Sequence, residues 1–286
     1  MPGVSVEELY GWHDGVMTTH APVGIAVVQF VPTADTDANL TAIAELAATA
    51  AERGARVVVA PEYSSYFVNP FDASLLDNAQ DLDGPFALAL ATIAAQHDLT
   101  IVAGLVERGT GDRVRNAAVA VDGTGVIAAY RKQHLYDAFG QTESDWIEPG
   151  PLGEPETFVV DGLRFGMMTC YDLRFPEAAR TLVDAGTDII LVPAEWVRGP
   201  LKEHHWETLI TARAIENTVY IAAADHAPPI GVGRSMIVDP QGVPIASLGT
   251  AAGDLAIGWA SHEQITGVRR VNPALYLRRY RVAPRD

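Results

Sequence analysis

Three polar residues stand where apolar runs end, and together they carry the parts of an acyl-transfer centre. Cys170 is the only cysteine in 286 residues. A lone cysteine is by default a small buried hydrophobe, but this one closes the run 164–170 (RFGMMTC), and Tyr171-Asp172-Leu173-Arg174-Phe175-Pro176 leads from it into a predicted helix. Open α/β sheets place ligands beyond the carboxyl ends of their strands. A thiol there, facing helix N-terminal amides, should have its thiolate, the reactive form, favoured. Glu62 takes the equivalent place after the apolar run 57–59, directly behind the stiffening Pro61. A carboxylate held at a partly desolvated strand end has its pKa raised, as a general base near neutral pH requires. Lys132 follows the run 125–131. The chain has 18 arginines but only two lysines, Lys132 and Lys202, and a compact ammonium aims one point charge at one oxygen better than a planar guanidinium does. Thiol, carboxylate and ammonium make a nucleophile, a base and an oxyanion stabiliser, the equipment for acyl transfer through a thioester.

The elements that must position them are legible in the pattern. Residues 23–30 (VGIAVVQF) have strand length and β-branched content. Asp35 to Asp37 can cap a helix over 38–53, in which Leu40, Ile43, Leu46 and Ala47 recur at helical spacing and Gly54 marks the end. The buried strand 57–59 then stops at Ala60-Pro61-Glu62, completing a βαβ unit whose apolar strand suits a sheet covered by helices. A second unit follows the same plan: strand 164–170, helix 176–185, strand 188–192, stop at Pro193-Ala194-Glu195. The paired endings VVVAPE and ILVPAE suggest a duplicated or pseudo-symmetric layout. Helices over 85–97 and 202–216, and strands over 100–106, 114–121, 125–131, 219–224, 233–238 and 254–260, fill in the rest, with Asp122-Gly123 marking a hairpin turn. No linker divides the chain. Strands outnumber helices about two to one, and the helices fall where they can cover two sheets, so a single-domain, layered α-β-β-α sandwich is predicted.

Composition narrows the field. The hydrophobic content of 48%, spread along the length, excludes intrinsic disorder. A net charge of −16 argues against nucleic-acid or anionic-membrane partners, which need clustered cations. One segment departs from this balance: the 18 residues from Arg269 hold six arginines against Asp286. They read as a tail, 266–286, docked on the acidic body or, as expected here, on a partner subunit of a homodimer. Residues 1–20 read as a weakly patterned N-terminal extension, with Met17 as an alternative start, leaving 21–265 as the domain. One cysteine forms no internal disulfide. The uncharged stretch 15–34 contains two prolines and reads as a loop entering a strand, and no signal-peptide pattern opens the chain. A cytoplasmic protein is therefore expected. There is no GxSxG elbow, GxxxxGK[ST] loop or HExxH helix. His204 and His205 are adjacent and cannot share a helix face as a metal pair would. Neither metal nor cofactor is expected.

Ala60–Glu62 (APE), 130–137 (YRKQHLYD) and 169–177 (TCYDLRFPE) resemble the three signature segments of the nitrilase superfamily of carbon–nitrogen hydrolases. Further matches are 143–150 (ESDWIEPG), 205–217 (HWETLITARAIEN) and 233–242 (GRSMIVDPQG), in the family's order, so the likeness spans roughly residues 23–260. The resemblance implies an α-β-β-α sandwich that dimerises, with Glu62 as general base, Lys132 as oxyanion cation and Cys170 as nucleophile. Glu143 matches a second glutamate that positions the lysine or base, and the Tyr171 backbone amide would be the other oxyanion donor. The closer likeness is to the branch of small aliphatic amidases, including ω-amidase-like and deaminated-glutathione-amidase-like enzymes. Tyr171, Trp196, Tyr66 and Arg174 are expected at the substrate pocket, with Arg174 or Arg198 available to a substrate carboxylate. Two departures bear on substrate identity: Ala60 stands where an aromatic or larger apolar residue is common, and 195–200 (EWVRGP) does not follow the ω-amidase-like pattern. The expected reaction is hydrolysis of a small carboxylic amide. Nitrile or N-carbamoyl cleavage on the same triad, a metal-dependent phosphoesterase and a non-catalytic binding protein are the alternatives.

Overall fold

A computed structural model describes residues 21–285; the expected extension 1–20, Met17 included, and Asp286 lie outside the described residues. The chain forms two six-stranded mixed sheets. The first contains β1 (Val23–Gln29), β2 (Ala55–Val59), β3 (Thr100–Glu107), β4 (Arg115–Asp122), β5 (Gly125–Arg131) and β12 (Asp254–Ala260), ordered β12-β1-β2-β3-β4-β5. The second contains β6 (Thr157–Val160), β7 (Leu163–Met167), β8 (Ile189–Ala194), β9 (Tyr220–Asp225), β10 (Met236–Val238) and β11 (Pro244–Ser247), ordered β6-β7-β8-β9-β10-β11. Each sheet has three parallel strands at its centre, two antiparallel strands on one side and one antiparallel strand on the other. β1 to β5 therefore correspond in order to β7 to β11, and β12 to β6. The repeat suggested by VVVAPE and ILVPAE is a repeat of topology, and Glu62 and Glu195 occupy matching places in it.

Alternation along the strands builds the layers. Ile25, Val27, Val57 and Val59 face across to Phe165, Met167, Ile189 and Leu191 in a core between the sheets. Their neighbours Ala26, Val28 and Val58 face outward onto Ile43 and Leu46 of α1 (Thr36–Glu52) and onto Phe86 and Leu90 of α3 (Pro85–His97). On the far side, Ile190 and Val192 pack under Leu182 of α4 (Pro176–Asp184) and Trp206 and Ile210 of α5 (Lys202–Asn217). This is the expected α-β-β-α sandwich. Asp35 caps α1 by accepting from the Ala38 amide at 3.0 Å, which satisfies an N-terminal donor that the helix cannot. A short helix, α2 (Ser74–Asp77), sits between β2 and α3.

Three expectations need correction. The strand predicted over 164–170 stops at Met167, and Cys170 opens a 3₁₀ turn, Cys170–Arg174. β6 and β11 escaped the pattern because both lie at sheet edges and are half-exposed or exposed, so neither shows a buried apolar run. The domain does not end at 265. Ser261 caps a further helix, α6 (His262–Val271), by accepting from the Gln264 amide, and Ile265 of that helix is fully buried between the sheets. The Arg-rich segment thus begins within the domain: Arg269 bonds Thr218 Oγ1 at 3.1 Å, and Arg278 pairs with Asp184 of the same chain.

Candidate active site

The loops leaving β2, β5 and β7 meet at one end of the sandwich. After β2, the chain is fixed by backbone hydrogen bonds from Ala60 N–H to Val102 O and from Gly104 N–H to Pro61 O, at 2.7 and 3.1 Å. Gly104 is glycine because the Glu62–Tyr63 backbone crosses directly over it; a Cβ there would lie 2.2 Å from Tyr63 N. His226 Nε2 donates to the Glu62 carbonyl at 2.7 Å. Burial pulls this imidazole down to about 4, so it is neutral. Glu62 is held by main chain on both sides before its carboxylate is considered.

The three charged groups form one buried cluster. Lys132 Nζ lies 2.9 Å from Glu62 Oε1 and 2.9 Å from Glu143 Oε2, and the three side chains are 2%, 1% and 6% exposed. Asn116 Nδ2 donates to Glu62 Oε1 at 2.6 Å and to Glu143 Oε1 at 3.2 Å. Glu143 also accepts from Tyr63 Oη at 2.7 Å and from the Tyr136 amide at 2.6 Å. Glu62 Oε2 accepts from the Glu195 amide at 2.6 Å. These surroundings drive the two carboxyls apart. Burial raises Glu62 against the pull of Lys132, and the charge of Glu143 raises it further. Burial acts on Glu143 in the same sense, but Lys132 and the Tyr63 and Tyr136 hydrogen bonds outweigh it and hold that carboxyl low. Burial alone would pull Lys132 down, yet the two carboxylates keep it well above the ordinary lysine value. Glu143 is a fixed counter-charge and Glu62 the group that takes up a proton; two carboxyls separated in this way mark acid–base assignments.

Cys170 has φ of +46°, a conformation uncommon for any residue but glycine. The strain is held by Asp172, whose Oδ2 accepts from the Thr169 amide at 3.0 Å and from Tyr130 Oη at 2.8 Å, while its Oδ1 accepts from the His134 amide and pairs with His134 Nδ1 at 2.7 Å. The thiol donates to the Glu195 carbonyl at 3.4 Å. The expectation of a favoured thiolate fails here. Burial pushes the Cys170 thiol well up and Glu62 pushes it further, with Lys132 only partly opposing them. The resting nucleophile is a neutral thiol that needs a base.

Cys170, Lys132 and Glu143 border a cavity of about 210 Å³. Of the residues expected at the pocket, Tyr171, Trp196 and Arg174 line it. Tyr66 does not: its hydroxyl turns away to Ser74 Oγ at 2.7 Å, and the adjacent Phe67 lines the wall in its place. Arg198 is exposed and takes no part in the wall. Glu62 sits behind Lys132 and is not on the wall itself.

Sequence reasoning missed Asn116, Tyr63, Glu195, Lys202 and His226. Two carried a signal. Lys202 shares the scarcity that singled out Lys132, and Glu195 ends the second copy of the VVVAPE pattern. Asn116 lies inside the apolar strand β4, where nothing in the spacing marks it.

The carbon-nitrogen hydrolase family model matches residues 24–270. The chain is a carbon–nitrogen hydrolase. A deaminated glutathione amidase of Escherichia coli is 38% identical to it over 257 residues, covering 90% of this chain and 97% of the relative. The human deaminated glutathione amidase is 32% identical over 273 residues, covering 89% and 82%. Among solved structures, the Caenorhabditis elegans NitFhit protein aligns with a TM-score of 0.82 at 26% identity, covering 92% of this chain and 66% of that one. An amidase of Nesterenkonia sp., seen with acrylamide added at its active-site cysteine, aligns with a TM-score of 0.72 at 25% identity, covering 89% and 100%. Membership of the nitrilase superfamily is thereby shown for this carbon–nitrogen hydrolase. No helix of the described residues is long and apolar enough to cross a membrane.

Proposed function

We propose that this carbon–nitrogen hydrolase converts a small carboxylic amide to acid and ammonia through a thioester on Cys170. The observation that carries this is the placement of a neutral thiol and a buried ammonium on one cavity wall, with a raised carboxyl behind them. Glu62 takes the Cys170 proton as sulfur attacks the carbonyl. Lys132 and the Tyr171 amide receive the developing oxyanion, where one such donor is worth about 2.7–4 kcal/mol. Glu143 keeps Lys132 charged and in place. The names of the relatives and the acrylamide adduct on the Nesterenkonia enzyme's cysteine point the same way. A metal-dependent phosphoesterase would need a ligand cluster, and among the described residues no group of three His, Cys, Asp or Glu side chains is arranged to hold a metal.

The far wall favours a substrate bearing a carboxylate. Arg174 and Lys202 both line the cavity, and neither has a carboxylate partner among the described residues. Lys202 Nζ bonds Tyr136 Oη at 2.7 Å, and Arg174 Nε is buried without a partner. Burial, and after it the charge of Arg174, pulls Lys202 down; two cations kept together without a counter-ion await an anion. Exposed Val271, Leu277 and Tyr280 on and after α6 suit a homodimer contact, and a reducing cytoplasm suits the unpaired thiol. The test is ammonia release across neutral amides, ω-amides of dicarboxylic acids, nitriles and N-carbamoyl compounds, with Cys170→Ala as control. Wild-type rates in Cys170→Ala would refute the scheme, and preference for a nitrile or N-carbamoyl compound would reassign the substrate.

A further inference from the structure

Glu195 holds the position in the second half of the fold that Glu62 holds in the first, and its peptide unit touches both partners of the proton transfer. Its N–H donates to Glu62 Oε2 at 2.6 Å, and its carbonyl accepts from Cys170 Sγ at 3.4 Å. Its side chain lines the cavity, and among the described residues its carboxyl takes part in no hydrogen bond and no ion pair. Glu62 differs on each count. Its oxygens already accept from Lys132, Asn116 and the Glu195 amide, and it does not reach the cavity wall. The leaving nitrogen departs into the cavity, where Glu195 is present and Glu62 is not.

Building on the amide-hydrolysis reading above, we propose that Glu195 is a second catalytic acid–base residue, protonating the leaving nitrogen and then activating the hydrolytic water. The charges acting on it come from every neighbouring element: Glu62 after β2, Lys132 after β5, Glu143 in the 3₁₀ turn Glu143–Asp145, and Lys202 of α5, with Asp225 of β9 also close enough to be raised by it. Burial, then the Glu62 charge, raises the Glu195 carboxyl well above the usual carboxylate range, so it enters the cycle as an acid. Protons balance as follows. The Cys170 thiol gives its proton to Glu62, and sulfur adds to the carbonyl carbon. When the tetrahedral intermediate collapses, the carbon–nitrogen bond breaks and its electron pair takes the Glu195 proton, releasing ammonia and leaving a thioester. The Glu195 carboxylate then takes a proton from water as the water oxygen attacks the thioester. The carbon–sulfur bond breaks last, and the thiolate recovers its proton from Glu62.

Glu195→Gln keeps both backbone contacts and cannot donate a proton. The test compares hydrolysis of the best primary amide with acylation by the p-nitrophenyl ester of the same acid, whose leaving group departs unprotonated. Positioned general acids contribute roughly 10²–10⁴-fold, so the amide-to-ester rate ratio should fall by about 10²-fold or more in Glu195→Gln. Glu195→Asp should recover part of that loss, with melting temperature confirming the fold of both. The alkaline decline of wild-type kcat/KM on the amide should also be absent from Glu195→Gln. An equal loss on amide and ester, or an unchanged ratio, would overturn the role of Glu195 while leaving the Cys170 thioester intact. A wild-type enzyme acylated by the ester but inert on every amide would instead overturn the amide-hydrolysis reading, and this role with it.

Discussion

Replacing Lys132 by methionine should destabilise the fold in a way that depends on pH, because the cluster would be left with two buried carboxyls and no cation. Lys132 Nζ is 2.9 Å from each of its two partners. At an effective dielectric constant of about 20, a pair at that distance is worth roughly 6 kcal/mol. The enzyme need not bear that full loss, since one carboxyl can take a proton instead. Starting from the ordinary glutamate value of 4.5, protonation at pH 7 costs about 3 kcal/mol, at 1.36 kcal/mol per unit. The proton should go to Glu62, which is already raised, and not to Glu143, which Tyr63 and Tyr136 hold low. Between pH 4.5 and 7 the native variant would then hold one proton that its unfolded chain lacks. Its stability relative to wild type falls as pH rises, from a deficit of under about 1 kcal/mol at pH 5 to about 3 kcal/mol at pH 7. Urea unfolding at pH 5, 6 and 7 measures this. Lys132→Met/Glu143→Gln, which restores the cluster's net charge, should recover most of the loss at pH 7 while remaining about 10²–10³-fold down in ammonia release, because the oxyanion donor is still missing. A deficit that is the same at pH 5 and pH 7, or a double variant no more stable than Lys132→Met, would refute this account of the cluster.

Cys170→Ala should abolish turnover with a near-native melting temperature, and iodoacetamide should modify wild type at Cys170 in step with loss of activity, as read by mass spectrometry. Gly104→Ala should cost about 1–3 kcal/mol by overpacking and lower kcat as well, since its Cβ would meet the Tyr63 amide nitrogen at 2.2 Å and push the Glu62 backbone; calorimetry and ammonia release check the two effects together. His226, held neutral down to about 4, should make the enzyme acid-sensitive. As pH falls from 6.5 towards 4 the unfolded chain takes a proton that the native imidazole refuses, so up to about 3 kcal/mol is lost. A His226→Asn variant should show a flatter urea midpoint across that window. Arg174→Gln and Lys202→Gln should each raise KM for an ω-amide of a dicarboxylic acid about tenfold or more, the scale of a lost hydrogen bond to a charged group, as steady-state kinetics would show.

The amino-acid sequence by itself determined the chemistry and the layers. Apolar alternation and β-branched runs set β5 and β12 to the residue, because a strand buried on both faces leaves a continuous signal, and the types of Cys170, Glu62 and Lys132 limited what their meeting could do. Tertiary structure decided what depends on approach between distant segments. Asn116 bridges Glu62 and Glu143 from within an apolar strand, and only the register of β4 against β5 reveals it. Whether Tyr66 or Phe67 meets the cavity turns on a loop in which Tyr63 has φ of +56°, and alternation does not survive such a kink. The protonation of Cys170 was reversed outright: local reasoning weighed helix amides, while the folded chain buries the sulfur beside Glu62. Patterns along a chain record which faces are buried. Charges and dielectric at a site are sums over whatever folding brings near, and those sums exist only once the two halves of the sandwich have closed on each other.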